Sequence, residues 1–312
     1  MDKPFKTIDQ QIELLESRGV STDEDTRSIL MREGYYPIVN GYKAPFIDKE
    51  ATREAGDDRY FNGTRFSDMH ELFLFDRDLR ETTFHYLLRI EAMVRTICSY
   101  TFAEAHRSAD DYLKQECFAS EDEYRAFGLN RYTYNYQKLH NTLFNKASSD
   151  ERMFIKHYRE KHGWVPLWVL SKDLTFGNIE HFFNLMKPEE QKTVCRRVVQ
   201  ATDRIGSKMG FLSPRETRVS LDTLVKARNM CAHDERMYCA SIGGRKNVDY
   251  LGLMSTMARF LTRDDFDKLL DSVLKTVGRA SKNSGVVAHI LDMMGFGRLK
   301  KEIASAKGRA EV

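Results

Sequence analysis

Ala227-Arg228-Asn229-Met230-Cys231-Ala232-His233, running on into Asp234-Glu235-Arg236-Met237-Tyr238, joins an Arg, an amide and a His within seven residues of an apolar-backed segment, as no other part of the chain does. Leu221, Leu224 and Val225 precede it at helical spacing, which predicts a helix laid on a core. At about 100° per residue, Asn229 and His233 stack on one face and can touch. Arg228 and His233 stand about 140° apart by the same geometry. A long guanidinium can still curl round to a group that the imidazole also reaches, and a phosphate suits that place.

The chemistry that uses this trio is phosphodiester cleavage of RNA without a metal. An imidazole titrates near neutrality, so His233 can take a proton from a ribose 2′-hydroxyl or give one to a leaving oxygen. Arg228 offers a planar fork of donors to phosphate oxygens and to the charge that grows on them. Asn229 can fix the tautomer or rotation of the imidazole. The competing reading is a surface ion pair for Arg228 and a helix-end position for His233, favoured there by the dipole.

Arg228-Asn229-Met230-Cys231-Ala232-His233 resembles the Arg-Asn-x-x-x-His motif of the HEPN superfamily, whose members include RNase toxins and defence effectors. Other stretches resemble its abortive-infection branch (Abi-like, AbiD/AbiF-type). The opening from Lys3-Pro4-Phe5 to Gly19 carries Gln10-Gln11-Ile12-Glu13-Leu14-Leu15, and an aromatic run links Gly34-Tyr35-Tyr36 to Gly41-Tyr42. Phe75-Asp76-Arg77-Asp78-Leu79-Arg80 and Arg89-Ile90-Glu91-Ala92-Met93-Val94-Arg95 follow, then Pro166-Leu167-Trp168 with Thr175-Phe176-Gly177. The resemblance spans roughly residues 3 to 238. It implies a toxin or effector in phage defence by abortive infection, restrained by an RNA or protein antitoxin. It also implies that two copies of the motif meet across a dimer, so a C2 homodimer with an isologous interface is expected.

Composition bounds these expectations. Charged residues make up 30% of the 312 and apolar ones 41%, with 19 Phe and 14 Tyr; that is a globular composition. No apolar run approaches a membrane span, and Met1-Asp2-Lys3-Pro4 opens no secretory apolar core. The five cysteines are odd in number and scattered without ligand spacing, which argues against a zinc site or a disulfide framework and for a reducing cytoplasm. Net charge is +3, so any basic surface must be local. There is no Gly-rich phosphate loop and no carboxylate pair at two-metal spacing, which argues against an NTPase or a metal nuclease. No cofactor and no metal are expected.

Along the chain, residues 5–20 read as an amphipathic helix capped by Thr7, and Asp23 to Arg32 as a second helix ended by Gly34. Pro37 and Pro45 break the aromatic run; its rings pack the N-terminal segment, with stacking on unpaired bases the alternative. Apolar spacing of three or four predicts a long helix from Asp68 to Ala105, with Ser67 as its cap. On it, Glu91 and Arg95 form either a solvated i, i+4 pair or a pair that faces the motif helix and orients Arg228 or His233. Residues 110–150 mix Tyr112, Tyr124, Tyr132, Tyr134 and Tyr136 with basic and acidic residues and read as a helical insertion, an RNA role being the alternative. Phe154 to His162 is a basic helix, and Leu167-Trp168-Val169-Leu170 opens a helix that packs Trp168 inside. A helix from Pro188 runs to about Gly206. Ser213-Pro214-Arg215-Glu216 is a helix start with a capping box. Gly243-Gly244-Arg245-Lys246-Asn247 is a loop, and two amphipathic helices follow over 251–261 and 266–277. Gly278 to Val312 holds seven Lys and Arg against three Asp and Glu, a tail either touching phosphate or simply solvated.

The chain is thus read as all-α: a HEPN-like helical bundle with N- and C-terminal helical additions. Residues 1–60 form the first segment, 61–245 the core with an insertion at about 110–160, and 246–312 the C-terminal extension. The expected activity is endoribonuclease, with Arg228, His233 and Asn229 catalytic, Glu91 and Arg95 supporting, and Lys226, Arg236 and Arg89 gripping RNA. RNA is the expected partner, as substrate and as antitoxin or non-coding RNA. The alternative is a non-catalytic subunit that holds a structured RNA through the same Arg and His.

Overall fold

The computed structural model describes residues 4–203, 211–242 and 248–298. Among them the extended pairings are isolated bridges and there is no sheet, so the all-α expectation holds. The helices run α1 (Ile8–Ser17), α2 (Thr26–Glu33), α3 (Lys49–Ala55), α4 (Phe66–Ala105), α5 (Glu121–Ala126), α6 (Tyr132–Ser149), α7 (Met153–His162), α8 (Leu167–Leu170), α9 (Phe176–Leu185), α10 (Pro188–Ala201), α11 (Pro214–Ala232), α12 (Tyr250–Met257), α13 (Arg263–Asn283) and α14 (Gly285–Met293).

Local chemistry sets many of these ends. Thr7 caps α1 in a reciprocal box with Gln10, and Ser120, Thr175 and Ser213 do the same for α5, α9 and α11. Each box satisfies backbone N–H groups that have no partner inside the helix. Gly34 closes α2 at φ +82° and Gly163 closes α7 at φ +74°, a region where a side chain is strained. The long helix starts at Phe66, so Ser67 lies inside it and is not its cap. The Asp68 carboxylate instead takes the Arg65 guanidinium at 2.9 and 3.0 Å.

The residues form two units: Met1–Thr82 with Asp234–Ala240 and Leu270–Val312, and Thr83–His233 with Ser241–Leu269. This grouping differs from three consecutive segments at 1–60, 61–245 and 246–312. The N- and C-terminal parts belong together because side chains of residues 270–298 close on the start of α4: Ser284 donates to Asp68 at 2.6 Å, Asn283 to Glu71 at 3.2 Å, and Phe296 packs edge-on against Phe75 at 5.4 Å.

Within this first unit a buried carboxylate ties down the segment that follows the motif. Asp76 is fully buried. It accepts from the Tyr42 hydroxyl at 2.7 Å, from Arg80 at 2.8 Å, and from the N–H groups of Met237 at 3.1 Å and Tyr238 at 2.7 Å. Tyr42 stacks on Tyr238 at 5.9 Å. The aromatic run around Tyr42 folds as a π-helical turn over Tyr36–Asn40 and a 3-10 turn over Ala44–Phe46. It buries Ile38, Val39 and Tyr42 but leaves Tyr36 75% exposed.

The second unit centres on α9, whose Phe176, Ile179, Phe182 and Phe183 are buried. Phe102, Phe118 and Phe182 meet within 5.1 to 5.6 Å. Tyr112, Tyr124 and Tyr132 of the tyrosine-rich region are buried here; the Tyr112 hydroxyl donates to the Val165 carbonyl at 2.8 Å. Trp168 is a correction. It is 54% exposed, while Leu167, Val169 and Leu170 around it are buried. A four-residue helix has one inward face, and the three aliphatic neighbours occupy it. Two other boundaries also move: α10 ends at Ala201 rather than near Gly206, and α13 reaches Asn283. The expected 243–247 loop and the last part of the basic tail, 299–312, lie outside the described residues.

Candidate active site

α11 carries the motif, and its burial pattern dictates what Arg228 does. Thr217, Leu221 and Leu224 are buried on one stripe, and the next position on that stripe, four residues on, is Arg228. A guanidinium at the end of an apolar stripe must meet an anion. Glu91, only 5% exposed, supplies it: Arg228 Nε donates to Glu91 Oε2 at 3.2 Å. The other oxygen of Glu91 accepts from Arg95 at 2.5 Å, and Arg95 also donates to the Leu174 carbonyl at 3.2 Å. One carboxylate therefore stands between two guanidiniums, leaving one positive charge uncompensated. The Arg228 guanidinium also lies 5.8 Å from the Phe84 ring centre, which restricts it further. Arg95 Nε is buried with no partner among the described residues.

His233 occupies the end of α11. Its N–H still bonds the Asn229 carbonyl at 3.0 Å, and the chain turns away at Asp234, whose φ is +56°. The imidazole is exposed and takes no hydrogen bond among the described residues. Asn229 behaves differently from expectation: its amide oxygen accepts from Arg228 at 3.4 Å rather than meeting His233. The helix opens at His233, with φ −109° and ψ 18°.

The three residues assigned to RNA contact are each engaged within the protein. Lys226 pairs with Asp222 at 2.7 Å along α11. Arg89 pairs with Asp265 and lies 5.5 Å from the Tyr86 ring. Arg236, in the first unit, donates to the Gly41 carbonyl at 2.8 Å and lines a cavity of about 680 Å³ with Arg77, Arg80, Asp234 and Tyr36. Asp76 and Arg80, which hold this post-motif segment, have no assigned role in the sequence reading. Their i, i+4 spacing inside an apolar helix was the available signal.

One group among the described residues has the donor set of a metal site: His106, Asp111 and Cys117, whose ligand atoms lie within 4.8 Å. Its members are otherwise occupied. His106 Nε2 pairs with Glu190 at 2.6 Å, Asp111 accepts from Lys114 at 3.0 Å, and burial holds the Cys117 thiol above its ordinary value.

Comparison with known proteins adds one finding. Residues 28–239, more than half of the chain, match the model of a family described as Abi-like protein. The matched span takes in most of α2, all of α4 and the whole motif. No curated protein and no solved structure matches the chain.

Proposed function

The chain belongs to the Abi-like protein family, whose role is in abortive infection, and from that premise we propose that it is a metal-independent endoribonuclease of the HEPN type. The observation that carries the reading is the contrast at the end of α11: Arg228 is held by the buried Glu91 at 3.2 Å, while His233, five residues on at the end of the same helix, stands exposed. A helix C-terminus presents carbonyl groups and the negative end of the dipole, so an anion bound there depends on side-chain cations. Arg228 is that cation, and the Arg95–Glu91 pair fixes where it points.

In the proposed reaction the ribose 2′-oxygen attacks the adjacent phosphorus, and the bond to the 5′-oxygen breaks. His233 takes the 2′-hydroxyl proton or supplies one to the leaving oxygen. Arg228 neutralises the charge that grows on the non-bridging oxygens. The products are a 2′,3′-cyclic phosphate and a free 5′-hydroxyl. One copy of the motif offers one imidazole, so a C2 dimer supplies the second, one acting as base and the other as acid. An RNA or protein antitoxin restrains the activity by covering this exposed end.

The test is a purified chain incubated with RNA in a chelator. Cleavage leaving cyclic phosphate ends is expected, with His233→Ala lowering the rate by about 10²-fold or more. RNA affinity should stay within about 1 kcal/mol of wild type. Equal loss of cleavage and affinity would instead make the protein an RNA-binding subunit without catalysis.

A further inference from the structure

Both tryptophans of the chain lie in the part of the second unit where α6, α7 and α8 pack on one another. Both are open to solvent, Trp164 at 40% and Trp168 at 54%. Their rings meet edge-on at 6.4 Å. An exposed indole pair is unusual for side chains that most often reach a core or an interface. Along α6 the rings of Tyr132, Tyr136, His140 and Phe144 follow one another at 5.9 to 6.2 Å, and the last of them, Phe144, is 50% exposed.

The charge of the same region is one-sided. Residues 131–172 hold eight Lys and Arg against three Asp and Glu, net +5, so the rest of the chain is net −2. Part of that charge is used internally: Lys146 and Arg152 both close on the buried carboxylate of Asp173, and Lys156 on Glu151. Arg131, Lys161 and Lys172 are exposed and enter no ion pair among the described residues, whereas Lys138 acts on Glu180 of α9.

We propose that this surface is a platform for single-stranded RNA, where unpaired bases stack on Trp164 and Trp168 and the three unengaged cations hold the phosphates. Aromatic faces interleaved with cations bind unpaired strands irrespective of sequence, because every base has a π-face. A second copy of the chain fits this surface poorly. A two-fold contact sets the same patch against itself, and that would bring the unengaged cations of two copies together. The choice of RNA as the polyanion rests on the ribonuclease reading above. The platform would hold the strand that the α11 motif cuts.

The probe is a 20-nucleotide 2′-O-methyl oligouridylate, which cannot be cleaved by its own 2′-oxygen. Binding of every variant is read by the anisotropy of a fluorescein on the oligonucleotide, and in the wild type quenching of intrinsic fluorescence from Trp164 and Trp168, the chain's two tryptophans, reports the stacking itself. Trp164→Ala with Trp168→Ala is expected to weaken binding by roughly 10- to 100-fold. Lys161→Glu with Lys172→Glu, which removes no buried group, should weaken it similarly and flatten the salt dependence. Wild-type affinity in both double variants overturns the platform, as does a tryptophan variant that converts a dimer to a monomer in sedimentation. If wild type cuts ordinary RNA while both variants still bind the probe, the platform alone fails. If the probe binds through the tryptophans but ordinary RNA is never cut, the ribonuclease reading alone fails.

Discussion

Glu91 and Arg228 stand 137 residues apart in sequence and meet at 3.2 Å, the carboxylate accepting from Nε of the guanidinium. Glu91 lies inside α4, shielded from water, and holds Arg95 with its second oxygen. A carboxylate held by two guanidiniums in a nearly dry site aims both of them.

Removing that carboxylate should therefore be felt twice. Glu91→Ala leaves two guanidiniums without their counter-charge in a buried site, a change expected to destabilise the fold by about 3–5 kcal/mol. Chemical denaturation measures this. Glu91→Gln keeps the shape and accepts one hydrogen bond, so it should fold with a smaller loss yet still lower RNA cleavage, because Arg228 is no longer fixed. Cleavage by Glu91→Gln at the wild-type rate would remove Glu91 from the site.

The helix that bears the motif and the helix that bears Glu91 were both legible in the sequence. Ser213 and Glu216 mark the start of α11, and its apolar residues keep helical spacing up to Arg228. The periodicity of α4 similarly gave its length to within two residues. Trp168 was not legible, because average hydropathy says nothing about which side of a short helix faces inward. The two units were not legible either. They join stretches far apart in the chain, such as Asp68 with Ser284, and such closures leave no local pattern. The anchoring of the post-motif segment rests on backbone N–H groups of Met237 and Tyr238, which any residue carries.

That anchoring predicts a strong effect at Asp76. Asp76→Ala would strand Arg80, only 4% exposed, together with two backbone donors that now bond to the carboxylate. The expected loss is about 3–5 kcal/mol. Tyr42→Phe removes one hydroxyl from the same cluster and should cost about 1 kcal/mol. Urea unfolding of the two variants side by side tests the ranking, and equal losses would contradict it.

His70 gives the stability a pH dependence. Its ring lies 6.4 Å from Phe66 and 6.1 Å from Phe73, and its Nε2 is buried with no partner among the described residues. Burial holds its pKa below the ordinary 6.5 of an imidazole. The unfolded chain therefore binds the proton more readily than the folded one. The stability contributed by His70 is present above about pH 6.5 and is lost as the pH falls through the lower folded value. His70→Phe should flatten this part of the pH profile, measured as the difference in melting temperature between pH 7.5 and pH 5.5. An unchanged slope would show that His70 binds its proton equally in the folded and unfolded states.

The cap of α11 links stability to the motif itself. Glu216 accepts from the Ser213 N–H at 3.0 Å and from its hydroxyl at 2.8 Å, and these bonds hold its carboxyl below the usual carboxylate range, with Arg259 adding to the effect. For a depressed carboxyl the sign is fixed: the contribution is present above the unfolded value near 4.5 and disappears as the pH falls through the folded one. Ser213→Ala should remove the cap, lower stability by about 1 kcal/mol and raise the Glu216 pKa, which a carboxyl NMR titration reads directly. The first turn frays while the last turn, with Arg228 and His233, stays packed through Leu221 and Leu224. RNA cleavage at a temperature where the fold is intact is therefore expected to fall by no more than a few-fold. A loss as large as that of His233→Ala would mean that the start of α11, rather than its Glu91-bound end, governs the geometry of the motif.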